Sequence, residues 1–290
     1  MLPSGVMNIT PWGGPTARAA SALGVDPSDV FVPLIPAMIG GLLFLVGLAY
    51  MFGRSERARI GDIVVDTSVE EFIEVCVSQN VEARREHLIW FNAALTAALL
   101  VLLVVGILPL PILMMLAFAI AMIVNYPNIA DQKTRIAAHA GNVLAVVSLI
   151  FAAGIFTGIL GGTGMVDAMS RSVVAIIPPA MGPYMAPITA ALSLPFTFFI
   201  SNDAFYFGVL PILAEAAGHY GITPVEIARA SLMGQPFHLL SPLVPSTYLL
   251  VTLAEVELAD HQKFTFKWAI VLGVVMSVVA ILTLTFPFVR

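Results

Sequence analysis

Apolar residues in this chain form long runs separated by short polar segments. The main runs cover residues 30–52, 88–108, 140–160 and 266–289, with a shorter run at 111–124. A helix needs about 20 apolar residues to cross the hydrocarbon core of a bilayer. The pattern therefore predicts an all-α membrane protein whose helices cross the bilayer several times.

One further apolar segment has a polar centre. Residues 194–213 read LPFTFFISNDAFYFGVLPIL, in which Pro195 and Pro211 flank Ser201, Asn202 and Asp203. A carboxylate at membrane depth costs about 2.5–3.5 kcal/mol on insertion scales, so such an acid is a candidate for function. Two short apolar arms that meet at a polar tip are typical of a re-entrant hairpin, which we expect over residues 184–217.

Lysine and arginine are concentrated in the segments 54–87, 125–139 and 255–266. These residues favour the cytoplasmic side of a membrane when they lie in short loops. If the hairpin re-enters without crossing, all three segments lie on one side as cytoplasmic loops, and the C-terminus lies outside. The opposite side then keeps Arg171, Arg229 and Arg290.

Two other stretches combine glycine, proline and hydroxyl residues within apolar surroundings. The first is PWGGPTARAA at residues 11–20, and the second is QPFHLLSPLVPST at residues 235–247. Pro242 and Pro245 each remove a helical hydrogen bond, so we expect a broken helix at about 230–254. Secondary transporters bind substrates and cations at helix interruptions of this kind.

Three segments together carry a resemblance to a known family. PSGVMNITPWGGPTARAA, ISNDAFYFGVLPIL and GQPFHLLSPLVPSTYLLV resemble the citrate–divalent-metal:proton symporters of the ion transporter superfamily. The resemblance implies a polytopic inverted-repeat fold in which a re-entrant hairpin and a broken helix form each repeat, with the substrate between the repeats. It places the tip of the second hairpin at residues 201–203 and the helix interruptions at 12–18 and 241–247.

The same resemblance divides the chain into three parts. Residues 1–53 would be the remnant of the first repeat, 54–87 a cytoplasmic linker, and 88–290 the second repeat. The first hairpin of the family would precede Pro11. We therefore expect the chain to match the C-terminal two-thirds of such a carrier, with the first repeat incomplete.

The substrate that the resemblance implies is citrate complexed with a divalent metal. Mg²⁺ or Ca²⁺ would be co-transported, with no permanently bound cofactor, and Asp203 and His238 are candidates for proton coupling. His238 is equally well explained as a packed side chain with one hydrogen bond. Asp203 is also a candidate outer contact to the metal. The expected substrate-binding residues are Gly13, Gly14, Thr16, Arg18, Ser201, Asn202, Asp203, Ser241, Ser246 and Thr247.

Composition agrees with this interpretation. Hydrophobic residues make up 59% of the chain, charged residues 11%, and the mean hydropathy is +0.96. The expected location is the cell membrane, and the expected partners are the bilayer, protons and the citrate–metal complex, without nucleic acid. A homodimer and a separate N-terminal half both remain open.

Two alternative functions also remain open. The chain could carry other small carboxylates or inorganic anions, or it could be a truncated subunit that does not transport. An enzyme is not expected. Aspartyl catalysis needs two facing acids, whereas Asp203 is the one acid predicted at membrane depth, and the zinc-protease pattern H-E-x-x-H is absent from the sequence.

Overall fold

The computed structural model describes residues 2–61, 85–105, 108–244, 247–248, 250–251 and 254–290. Within these ranges the secondary structure is helical, with no strand, in agreement with the predicted all-α class. The helices are α1 (Leu2–Met7), α2 (Gly14–Leu23), α3 (Pro27–Phe31), α4 (Ile35–Ile60), α5 (Ile89–Val105), α6 (Leu110–Asn125), α7 (Ile129–Gly162), α8 (Met165–Ile176), α9 (Met185–Phe199), α10 (Leu210–Gly218), α11 (Pro224–Ser231), α12 (Gln235–His238) and α13 (Leu258–Leu282).

Several helices have the length and apolarity of a membrane span. In the described part of the chain these are Pro27–Arg59, Glu86–Leu103 and Leu258–Leu282, and the bent pair Met165–Ile176 and Pro179–Phe199 would make a fourth if it counts as one span. Leu110–Asn125 and Ala204–Gly218 are shorter apolar helices. The runs predicted from hydropathy thus correspond to helices, except that the last helix ends at Leu282 and not near residue 289.

The polar segments differ from the prediction. Residues 125–139 were expected to be a loop, but α7 begins at Ile129, where the side chain of Asn128 accepts a hydrogen bond from the N–H of Ala130 at 3.0 Å. Residues 54–60 continue α4, and α13 begins at Leu258. Polarity excludes these residues from lipid, yet Ala, Gln, Lys and Arg are strong helix formers. Residues 62–84 of the expected linker lie outside the described residues.

The chain divides into two compact units, one of residues 46–140 and one of residues 1–45 with 141–290. In the first unit, α5 packs against α6. Asn92 and Asn125 join these helices by two reciprocal amide hydrogen bonds of 2.8 and 2.9 Å. Such a pair satisfies the polar groups of both side chains within apolar surroundings.

The second unit holds the interrupted helices. α9 ends at Phe199, and after Ile200 and Ser201 the chain is helical again over residues 202–218. The stretch Ala204–Val209 within this helix has π geometry. Two helical arms thus meet at residues 200–201, slightly before the expected tip at 201–203, because Asn202 and Asp203 already begin the second arm.

The next interrupted helix differs in position from its prediction. It begins at Pro224 rather than near residue 230, where Thr223 and Glu226 form a capping box. It passes through the tight turn Leu232–Gly234 into α12 and ends at His238. The interruption over residues 239–244 therefore starts before Pro242 rather than at it.

Glycines allow the helices of this unit to approach closely. A Cβ on Gly234 would lie 2.6 Å from the backbone carbonyl of Ser193 in α9, and one on Gly5 would lie 2.5 Å from Cα of Pro236. A Cβ on Gly40 of α4 would lie 2.9 Å from the side chain of Val279 in α13. Near the interruptions, Gly5 and Gly234 therefore allow backbone to pack directly on backbone.

Candidate functional site

Three helix interruptions lie close together in the larger unit. They are the turn at residues 8–13 between α1 and α2, the interruption at 200–201, and the interruption at 239–244. α1 packs on α12, and α2 packs on the π stretch Ala204–Val209. Interrupted helices leave backbone groups without intrahelical partners, so a cluster of interruptions is a natural place for polar chemistry.

An ion pair joins two of these segments. The Nε atom of Arg18 donates to Oδ1 of Asp203 at 2.5 Å, across 185 positions of sequence. The two side chains are 24% and 36% exposed, respectively. Among the described residues, the terminal nitrogens of Arg18 make no further hydrogen bond or ion pair. The guanidinium can therefore still donate two parallel hydrogen bonds to a carboxylate.

The two glycines predicted in the site shape the turn before Arg18. Gly13 is the N-cap of α2, and a Cβ there would overlap the carbonyl of Asn8. A Cβ on Gly14 would overlap Nη1 of Arg18. Gly13 thus permits the tight turn, whereas Gly14 leaves room for the guanidinium.

An amide cluster lies beside the ion pair. The buried side chain of Gln235 donates from Nε2 to the hydroxyl of Tyr206 at 2.8 Å and to Oδ1 of Asn202 at 3.3 Å. Its Oε1 accepts from Nδ2 of Asn8 at 3.5 Å. Gln235 therefore connects all three interrupted segments.

The end of α9 is completed by the segment that follows α12. Nδ1 of His238 donates to the carbonyl of Thr197 at 2.6 Å, and the hydroxyl of Ser241 donates to the carbonyl of Phe198 at 2.6 Å. Both carbonyls belong to the last turn of α9, where intrahelical donors are missing. His238 and Ser241 therefore satisfy these acceptors at the place where the helix stops.

The remaining predicted hydroxyl residues bind local backbone. Thr16 donates to the carbonyl of Ile9 at 2.8 Å, and Thr247 donates to the carbonyl of Leu239 at 2.7 Å. Ser201 accepts from the N–H of Ala204 at 3.1 Å and caps the second arm. Ser246 lies outside the described residues. The structure thus brings together Gly14, Arg18, Asn202 and Asp203. The hydroxyl groups bind the backbone of the surrounding segments instead.

Three residues of the cluster were not among the predicted site residues, namely Asn8, Tyr206 and Gln235. The sequence contains a signal for each. Asn8 and Gln235 are amides in otherwise apolar stretches, and Tyr206 follows Asn202 by four positions, which places both on one helix face. Their meeting depends on the packing of α1 against α12, which no local pattern reveals.

The site contains few side chains that could bind a metal ion. Within the described ranges, no three His, Cys, Asp or Glu side chains form a group that could hold a metal ion. Asp203 keeps one carboxylate oxygen, Oδ2, outside its bond to Arg18. This oxygen could accept a hydrogen bond or contact a cation.

Helices of membrane-spanning length and a polar cluster built on helix interruptions define a multi-pass membrane protein of the transporter class. A family model described as "Citrate transporter" matches residues 1–234. The chain belongs to this family, which confirms the resemblance seen in the sequence. The family consists of transporters and is not enzymatic.

Two curated relatives come from Bacillus subtilis (strain 168). A "Citrate transporter" is 60% identical over 282 residues, covering 97% of this chain and 65% of the relative. A "Mg(2+)/citrate complex secondary transporter" is 52% identical over 278 residues, covering 96% of this chain and 64% of the relative. The chain thus spans somewhat less than two thirds of these relatives. No solved structure matches it.

Proposed function

We propose that this chain takes part in the uptake of citrate complexed with a divalent metal, coupled to protons, across the cell membrane. The observation that carries the proposal is the Arg18–Asp203 pair beside the amide cluster, at the meeting point of three helix interruptions. The name of the second relative, a Mg(2+)/citrate complex transporter, supports the metal complex as substrate.

The charge of the site suits a chelated anion better than a free one. Citrate binds a divalent cation through its carboxylates and hydroxyl, so the complex keeps a small negative charge. Arg18 and Asp203 neutralise each other, and the site therefore lacks the excess positive charge that a free tricarboxylate would require. The terminal nitrogens of Arg18, the Asn202 amide and the N-terminus of α2 are the donors for citrate oxygens.

The metal ion would arrive as part of this substrate. Mg²⁺ dehydrates reluctantly and is usually held by one or two carboxylates together with waters and substrate oxygens. The oxygen of Asp203 that does not bind Arg18 is the candidate outer contact. Ca²⁺ or another divalent metal would use the same oxygen ligands.

Asp203 and His238 are the candidates for the coupled proton. The carbonyl of Thr197 accepts from Nδ1 of His238, so the proton resides on Nδ1 and Nε2 is left to titrate. Asp203→Asn should abolish proton-coupled uptake, whereas His238→Asn, whose Nδ2 takes the position of Nδ1, should keep the bond to Thr197 and change only the pH dependence. A normal pH profile in both variants would exclude both groups as proton carriers.

The proposed topology follows the lysine and arginine pattern. The arms that meet at residues 200–201 form a hairpin that re-enters the membrane without crossing it, and the polar segments at 54–87, 125–139 and 255–266 face the cytoplasm. On this topology the C-terminus lies outside. The same scheme makes residues 88–290 the second of two inverted repeats.

Uptake of radiolabelled citrate tests the proposal directly. Cells or proteoliposomes that contain the chain should accumulate citrate in the presence of Mg²⁺, and EDTA should suppress accumulation. An imposed inward proton gradient should increase the rate, and excess unlabelled succinate should compete weakly. Uptake that is insensitive to both EDTA and the proton gradient would contradict the proposal.

A further inference from the structure

Gln235 has a side chain whose orientation is fixed by its surroundings. The residue is fully buried at the start of α12. Its Oε1 accepts from Asn8, and its Nε2 donates to Tyr206 and Asn202. Turning this amide over by itself would place two donors or two acceptors face to face. Its direction is anchored at Tyr206: the hydroxyl of Ser231 donates to the carbonyl of Ala228 at 2.7 Å and is hydrogen-bonded to Tyr206, so it accepts from the Tyr206 hydroxyl. The oxygen of Tyr206 is then left to accept from Nε2 of Gln235.

The fixed amide of Gln235 in turn determines how Asn202 is oriented. Because Nε2 of Gln235 is a donor, the group of Asn202 that faces it is the carbonyl oxygen Oδ1. The N–H groups of Asn202 then point away from Gln235, and among the described residues they have no partner of their own. Asn202 is half-buried and precedes Asp203 at the start of the second arm.

We propose that Gln235 is a positioning residue that makes Asn202 a hydrogen-bond donor toward the carboxylate of the substrate. The inference rests on the proposed citrate function and assigns the anion contact to one particular amide group. Asn202 could otherwise present its carbonyl oxygen, which repels a carboxylate. The Asn8–Gln235–Asn202 relay thus selects an oxyanion over a ligand that donates hydrogen bonds.

Two substitutions at Gln235 separate orientation from packing. An ionised glutamate has nearly the same shape but accepts only, so Gln235→Glu should turn the Asn202 amide and direct its oxygen at the substrate. Gln235→Met fills a similar volume without fixing Asn202 in either direction. Because hydrogen bonds to charged groups are among the stronger ones, the KM for Mg–citrate should rise about tenfold or more in Gln235→Glu and less in Gln235→Met.

Gln262 provides a matched control. It donates from Nε2 to the carbonyl of Leu240 at 2.7 Å, and among the described residues it has no hydrogen bond to Asn202. Gln262→Glu should lower thermal stability while leaving the KM near that of the parent. Lowering the pH should bring the KM of Gln235→Glu back toward that of the parent measured at the same pH, because a protonated carboxyl regains a donor.

The outcomes distinguish this inference from the function on which it rests. If the parent chain transports Mg–citrate and the KM of Gln235→Glu stays within twofold of it, the positioning role is wrong. Equal rises in KM for the glutamate and methionine variants, matched by equal losses in melting temperature, would also refute it, since packing alone would explain them. A parent chain without Mg–citrate uptake would refute the proposed function, and the role of Gln235 with it.

Discussion

On the proposed function, the Arg18–Asp203 pair combines a structural role with a role in substrate binding. Removing either partner leaves a half-buried charge without its counterion. Exposed pairs contribute about 0–1 kcal/mol, and breaking fully buried pairs costs about 3–5 kcal/mol. With exposed fractions of 24% and 36%, this pair lies between those limits, so a single substitution should cost about 1–3 kcal/mol.

A double-substitution cycle therefore separates the two roles. Asp203→Asn and Arg18→Gln should each lower the melting temperature of the purified chain, and the double variant should recover most of the loss because no charge is left unpaired. Uptake of Mg–citrate should be lost in all three variants. If the double variant recovered uptake together with stability, the pair would be structural alone.

Gly14 has an effect on Arg18 that the sequence alone does not reveal. A methyl group at this position would occupy the place of Nη1, and the flexible arginine would have to move away from Asp203. Gly14→Ala should raise the KM for citrate by about tenfold, equivalent to about 1.4 kcal/mol, without a large change in folding.

Gly47→Ala is the control for this substitution. A Cβ on Gly47 would meet nothing within 4 Å in the middle of α4, so uptake should remain at the parent level and the helix should be slightly stabilised. Equal kinetics for Gly14→Ala and the parent would show that the position of Arg18 is not critical.

At the scale of elements, hydropathy predicted which segments form long apolar helices but did not predict the residues at which those helices begin and end. The runs of apolar residues became helices because about 20 residues without charge have few other stable forms in lipid. The polar segments at 129–139 and 258–266 are also helical, because charged residues keep a segment out of the lipid but do not prevent it from forming a helix. The interruption after His238 begins before both prolines, where His238 and Ser241 bind the end of α9. Tertiary hydrogen bonds of this kind have no local sequence signature.

The packing of α9 on the turn Leu232–Gly234 gives a prediction for an element. A methyl group on Gly234 would lie 2.6 Å from the carbonyl of Ser193, and neither backbone segment can yield easily. Gly234→Ala should destabilise the folded chain by about 1–3 kcal/mol, the range for overpacked sites. Thermal unfolding of the purified protein in detergent would measure this.

Gly218→Ala serves as the comparison for Gly234→Ala. Gly218 closes α10, and a Cβ there would meet nothing within 4 Å. Its melting temperature should stay close to that of the parent. A similar loss in both variants would point to a general sensitivity of these helices and not to the contact with Ser193.

At the scale of the whole molecule, the expected topology depends on the segment between α8 and α11. If its two arms re-enter and return, the residues before α9 and after α10 lie on the same side of the membrane. Met181 and His219 are exposed at these two places. Gly182 is unsuitable for a probe, because a side chain there would overlap the ring of Tyr220.

Cysteine labelling tests this topology. In a Cys76→Ser background, Met181→Cys and His219→Cys should both react with an impermeant maleimide added to intact cells. Lys133→Cys, in the exposed polar part of α7, should react only after the cells are opened. Labelling of positions 181 and 219 from opposite sides would show that the segment crosses the membrane completely.

The hydrogen bonds from His238 and Ser241 to the end of α9 also affect how the molecule can move. A rearrangement that separated α9 from α12 would leave the carbonyls of Thr197 and Phe198 facing an apolar medium, at a cost of several kcal/mol each. The two elements should therefore travel as one rigid body during a transport cycle. The backbone would then have to change conformation elsewhere, such as at the turn of residues 8–13 or at the π-helical stretch Ala204–Val209.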